Sequence, residues 1–491
     1  MNVQGSLQVL DCTITNQFNE SVNLVLVSEM IEIYESIHEK FLSGQVSVRD
    51  GLELLKKYKL TGQESLTLRF RQGENGKIIT KIFKVYSITD ISPENDNFKT
   101  YSLQFVDPYF FIFERTVVDR VFRGSMASML EKVLIEDSKV NKNLLYVEET
   151  VPPNKQLICP KWRVSSVIDY ITKNSSPKGK TENTTYDDSM FFYQSLSLST
   201  ITGESEPYGK FYFKSFDTML SDITEHKFNY YPMVTDRTFL EEDNEEEQNK
   251  PGGKNSQILD YAVIEKNNSV RAQKLGFFSS KLFNFDLLRG VFETYDYSLN
   301  DLFKKNGHLS KFAPYYVEHD KTFEAETSDR VGGEIKSKEL EELTMESPDK
   351  YSESNLYYSC NSTNMFSNQN EILDYTQTTT KDAPVGPESR SSGMLERNAI
   401  LTLIKNNSMN IKVPFRDDLK VGEVVNVNIP STEFSEDMSN KIDTGFYLII
   451  SMKYQISPIS DKGLISLELM KEGLDVDIST YKTIHSAPKE E

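Results

Sequence analysis

Residues 41–70, FLSGQVSVRDGLELLKKYKLTGQESLTLRF, compress a strand, a short helix, a turn and a second strand into one segment. Val46 and Val48 alternate with Gln45, Ser47 and Arg49, the two-residue period of a half-buried strand. Asp50 then stands at a helix N-cap position with Glu53 three residues on, the spacing of a capping box. Leu52, Leu55 and Tyr58 give that helix one apolar side, Thr61-Gly62 permits a turn, and Leu66, Leu68 and Phe70 alternate again. The expected unit is a small barrel whose short helix plugs an open end or side of the sheet.

The flanking segments extend this unit. GENG at 73–76 is a hairpin signal, followed by the strands IITKIFKVYSI and, at 101–105, YSLQF. Residues 1–110 therefore read as one β-rich unit. An α/β domain is expected over 111–185. Ser125 caps a helix with Met126, Met129, Leu130, Val133 and Leu134 on one face, and Val164, Val167, Ile168 and Ile171 repeat that spacing. Trp162, the sole tryptophan, reads as a packing anchor. Phe191–Tyr193 and Lys210–Phe213 look like a long hairpin. Two polar segments, 235–257 and 325–392, read as insertions, with Leu356–Tyr358 anchored inside the second. Strands at 411–413, 424–429, 446–450 and 464–469 suggest a closing antiparallel meander, a second small barrel.

No catalytic constellation emerges. The 491 residues carry 74 acidic against 55 basic side chains, a net charge of −19 that argues against a phosphate-binding surface. Cys12, Cys159 and Cys360 fit no zinc spacing or disulfide framework. None of His38, His226, His308, His319 and His485 pairs with another at helical metal-site spacing, and His319-Asp320 reads as surface. No nucleophile elbow, P-loop or dinucleotide fingerprint follows a strand. Gly276–Lys281, GFFSSK, reads as a glycine turn entering a strand, the alternative being an anion-binding nest. Neither an export signal nor an apolar run long enough to span a membrane is visible. The expectation is no catalytic residue, no metal and no cofactor.

Five segments in order resemble the hub protein of contractile phage tail baseplates, the T-even type hub family related in architecture to the N-terminal part of VgrG spike proteins. They are the opening strand–helix–TGQESLTLRF motif; YSLQFVD (101–107) with the two helices; FFY (191–193) with KFYFKSFDTML; GFFSSKLFNFDLLRGVFETYDY (276–297); and LKVGEVVNVNIP, TGFYLIISMKYQIS and LISLELMKEG. The likeness runs from about residue 15 to 475, broken by the two inserts and a stretch near 338–350. It implies a mainly β fold with an α/β middle domain and two tail-tube-like antiparallel barrels. The barrels would be 1–110, then 186–225 with 391–475. Peripheral α/β segments would occupy 226–390, with a polar tail at 476–491. It further implies a structural, non-enzymatic homotrimer that forms a pseudo-six-fold ring in the virion baseplate and is assembled in the host cytoplasm. Its partners would be a central spike, a tail tube or tube-initiator protein and other baseplate proteins, with DNA only in transit. The net charge adds the expectation of an acidic lumen. The competing readings are a tail-associated enzyme that degrades cell wall and an adhesin-like binding module.

Overall fold

Alternating burial builds seven strands in the first 106 residues: β1 (Leu7–Thr15), β2 (Ser21–Asn23), β3 (Ser28–Ser36), β4 (Ser43–Asp50), β5 (Ser65–Gln72), β6 (Ile79–Pro93) and β7 (Lys99–Val106). The computed structural model describes residues 6–73, 76–94, 98–150, 155–178, 189–196, 207–230, 256–266, 268–286, 291–299, 355–359, 392–405, 407–429 and 443–473. The centre of the GENG turn, nearly all of both inserts, the 338–350 stretch, His308, His319-Asp320, Cys360 and the polar tail lie outside these residues. Val46 and Val48 of β4 and Leu66, Leu68 and Phe70 of β5 are buried as their spacing predicts.

The helix between them departs from expectation in its start. It runs Leu54–Lys57 (α1), and Glu53 adopts a left-handed backbone with φ 55° and makes no side-chain cap. There is thus no capping box. Asp50 ends β4, where its Oδ1 accepts the Leu52 N–H at 2.8 Å and its Oδ2 accepts the Leu54 N–H at 2.7 Å. The left-handed residue delays the helix, so Leu54 enters the core and Leu52 stays exposed. Asp50→Ala orphans two amides beside a buried position and should cost about 1–2 kcal/mol. Urea unfolding of the variant measures this.

The α/β region follows its helical periodicities. Helix α2 (Tyr109–Arg115) leads into β8 (Val117–Gly124), which pairs with β10 (Lys155–Arg163). Ser125 caps α3 (Met126–Lys132) by accepting the Ser128 N–H, and α4 (Val164–Lys173) buries Val164, Val167, Ile168 and Ile171. Trp162 packs on Tyr170 with ring centroids 5.4 Å apart. Between β8 and β10 lies the short β9 (Leu145–Val147). The aromatic hairpin forms as β11 (Met190–Ser195) and β12 (Lys210–Ser215), but it does not open a second barrel. It joins β9 in a separate three-stranded sheet. The reason is that both faces of β11 are dry: Phe191 and Tyr193 enter the large core, and Met190 and Phe192 enter the α/β core. A strand buried on both sides acts as a wall between cores.

The remaining strands are β13 (Ile223–Tyr230), β14 (Gln257–Ile258), β15 (Asp260–Lys266), β16 (Ser279–Asp286), β17 (Val291–Ser298), β18 (Leu356–Ser359), β19 (Asn407–Pro414), β20 (Val424–Asn428), β21 (Gly445–Ser457) and β22 (Lys462–Met470). Leu356–Tyr358 is anchored as expected, in β18 alongside β16. Two closed barrels are not what these strands build. Fourteen of the described strands form one curled, half-closed sheet, in which β22 meets β1 through the single bridge Ser6–Lys462. The cause is β21. Its first residues, 445–448, pair with β20, and the same edge at 451–456 pairs with β3. Hydrogen bonds that could close one unit on itself thereby join the two.

Candidate functional surface

The sheet contains an antiparallel ribbon in the order β15–β19–β22–β21–β3–β4–β7–β6. Its two halves, β15–β19–β22–β21 and β3–β4–β7–β6, have the same internal order. Each half ends in a hairpin, β21–β22 or β6–β7, with a bulge at the same level: between Ile449 and Ser451, and between Val85 and Ser87. The Ile449 N–H donates to the Glu423 carbonyl at 2.9 Å, and the Val85 N–H donates to the Glu64 carbonyl at 2.9 Å. Just before these glutamates stand Gly422 and Gly62, with φ 80° and 87°, where a side chain would be strained. The halves differ further out, where β1 pairs antiparallel with β5 but β13 pairs parallel with β20.

One face of the ribbon covers the core; the other is polar. Ser87, Gln104, Gln45, Glu32 and Gln455 stand directly opposite one another across β6, β7, β4, β3 and β21. Their donors converge. Gln104 Nε2 donates to Gln45 Oε1 at 3.0 Å, Gln45 Nε2 to Glu32 Oε2 at 2.7 Å, and Gln455 Nε2 to Glu32 Oε1 at 3.0 Å. Lys453 Nζ lies 2.7 Å from Glu32 Oε1, and the Tyr34 hydroxyl also donates to this carboxylate. Burial of Glu32 opposes its charge, but the Lys453, Tyr34, Gln455 and Gln45 hydrogen bonds outweigh it and hold the carboxyl down at about 2. The carboxylate is thus charged, saturated and shared across the junction between the halves.

Three cations of this face sit against carboxylates, while Lys84 and Lys462 also stand on it. Arg49 reaches Glu94 at 2.6 Å, Lys412 reaches Asp260 at 3.0 Å and Lys453 reaches Glu32 at 2.7 Å. Serines 43, 47, 102, 451 and 466 fill positions between them. Such a surface offers hydroxyls and amides, with little free charge for an anion to displace counterions from.

The described histidines and cysteines do other work. His226 Nδ1 lies 2.9 Å from the buried Arg416 guanidinium, and His38 packs edge-on to Phe191. Among the described residues no group of three or more His, Cys, Asp or Glu side chains is placed to hold a metal. Burial pushes the Cys12 thiol up to about 12 and the Cys159 thiol up to about 11. Both thiols are free and buried. The GFFSSK segment turns at Gly276 into β16, as the turn reading predicts. No described helix is long and apolar enough to cross a membrane. The polar row itself escaped the sequence reading. Its signal was present as polar alternation in QVSVR, SLQF, IEIYES and YQIS, but nothing in those segments names their neighbours.

No protein-family model matches this chain. No curated protein matches it either. Among solved structures it is similar to a tail protein from Neisseria meningitidis, at 11% identity over 96% of this chain and 98% of that one, with a TM-score of 0.46. A 43 kDa prophage tail protein from Shewanella oneidensis aligns at 10% identity over 95% and 100% of the two chains, with a TM-score of 0.45. A chain of the Francisella PdpA–VgrG complex aligns at 10% identity over 98% of this chain and 61% of that one, with a TM-score of 0.40.

Proposed function

We propose that this protein is the structural, non-enzymatic hub of a contractile phage tail baseplate. Three copies form a ring that joins the tail tube to the central spike and lets DNA pass during injection. The observation that carries this reading is the ribbon of two like-ordered halves joined by β21 and β3. Duplication inside one chain lets a threefold assembly present six similar units, which resolves a mismatch between a sixfold tube and a threefold spike. The closed cylinders expected from sequence are not needed for this; equivalent half-ribbons suffice.

In such a ring the polar face lines the channel. The acidic lining expected from the net charge gives way to a neutral one. Amides and hydroxyls dominate, and Arg49, Lys412 and Lys453 each sit against a carboxylate. A passing phosphate backbone then finds few unpaired cations to bind. Other baseplate proteins would contact the α/β region and the outer strands, in the virion and after assembly in the host cytoplasm.

Electron micrographs of the purified chain should show rings with a central hole, and light scattering should give three times the 56.4 kDa chain mass. Particles without a hole, or hydrolysis of purified peptidoglycan that one carboxylate substitution removes, would overturn the reading.

A further inference from the structure

The two halves of the ribbon have corresponding ends, but only one pair of ends meets within the chain. At the internal junction β21 lies against β3, with Lys453 opposite Tyr34 and Gln455 opposite Glu32. The equivalent of β21 in the other half is β6, and the equivalent of β3 is β15. Among the described residues, β15 pairs only with β19, and β6 beyond Val85 pairs only with β7. Among the described residues both strands therefore present open backbone edges, which natural sheets cover or blunt.

Position by position, these edges repeat the internal junction. Thr89 takes the place of Lys453, since Thr89 stands opposite Ser102 as Lys453 stands opposite Ser466. Ser92 takes the place of Gln455, opposite Thr100 as Gln455 is opposite Leu464. Glu265 takes the place of Tyr34, and Ala262 that of Glu32, through their partners Ser408 and Asn410 on β19 and Ser43 and Gln45 on β4.

Two features fit the open edges to each other. Each carries one residue more than its internal counterpart, at the same level. Thr89 to Ser92 spans an irregularity where Lys453 to Gln455 is regular, and Ala262 to Glu265 spans one where Glu32 to Tyr34 is regular. Facing each other, the two insertions keep step. The apolar side chains also correspond. Ile450, Tyr454 and Ile33 are 3%, 1% and 0% exposed at the internal junction, whereas their counterparts Tyr86, Ile91, Val263 and Ile264 are 50%, 58%, 37% and 53% exposed.

We infer that β6 of one copy pairs antiparallel with β15 of the next, Thr89 opposite Glu265 and Ser92 opposite Ala262. The ring is then one continuous sheet in which the junction between copies imitates the junction within each. This rests on the hub reading and names the partner of each edge as a second copy of this chain.

Cysteine cross-linking tests the register. Chains carrying Thr89→Cys and Glu265→Cys, mixed and oxidised, should give an interchain disulfide. The double variant in one chain should give a ladder that stops at three chains. Thr89→Cys mixed with Asp260→Cys should stay unlinked, because five residues of strand separate the positions by about 16 Å. The wild-type chain is the blank for the native thiols. Ile91→Lys, with unchanged circular dichroism, should shift sedimentation from trimer to monomer. A trimer without the 89–265 link, or with equal linkage in the control pair, overturns the pairing and leaves the ring standing. A wild-type chain that stays monomeric at every concentration, without the link, overturns both.

Discussion

Asp418→Ala should destabilise the chain by about 3–5 kcal/mol, because it strands a buried guanidinium. Arg416 is fully buried, yet it stands in the connection between β19 and β20. Asp418 satisfies it with two oxygens, at 2.9 and 2.6 Å. The remaining contacts are Ser256 Oγ at 3.1 Å, His226 Nδ1 at 2.9 Å and the face of Phe228. Burial works against the Asp418 charge, but the Arg416 hydrogen bonds and charge prevail and lower its pKa. Removing the carboxylate leaves the fully buried cation with neutral partners only. Arg416→Met should cost clearly less, since Asp418 is partly exposed and can be hydrated. Equal losses for the two variants in urea titrations would show that packing, not the orphaned charge, sets the cost. The network ties β13 and Ser256, just before β14, to the β19–β20 connection, so its loss should loosen the outer strands of the C-terminal half first.

Glu35→Gln should raise stability at pH 8.5 by about 3 kcal/mol and change little at pH 4. Glu35, the penultimate residue of β3, lies on the core face, where its Oε2 accepts the Leu196 N–H at 2.7 Å. Burial raises its pKa to about 7, with the Leu196 hydrogen bond pulling the other way. The folded-state pKa thus lies above the unfolded value. Below the unfolded value both states are protonated and no penalty exists. As pH rises toward and through 7, ionisation favours the unfolded chain and stability falls. An uncharged isostere removes this slope. Unfolding titrations of both proteins across this range should diverge upward in pH; parallel curves would refute the assignment. Asp107, which burial raises to about 6, adds to the same trend. Its Oδ1 accepts the Tyr109 N–H at 2.9 Å and its Oδ2 accepts from Gln194 at 2.8 Å, which clamps the α/β region to the sheet.

The strand alternations and both long amphipathic helices were legible residue by residue. Val46 and Val48, Leu66 to Phe70, and Val164 to Ile171 all bury as their periods require. These patterns are local, because a side chain's face follows from its own backbone period. The helix start at Asp50 was misread by a few residues because a left-handed Glu53 has no compositional signal. The polar row was half legible. The alternation named Gln45 as a face residue, but neither Gln104 nor Gln455, and not their adjacency.

Composition and period thus settled a β-rich chain with an α/β insertion. Strand partnership came from the fold alone. Nothing local distinguishes a β21 that closes its own unit from one that also pairs with β3, over 400 residues earlier in the chain. Backbone hydrogen bonds are the same whichever strand supplies them. The choice falls to the burial of Ile33, Ile450 and Tyr454 at that seam, which exists only once both halves are folded.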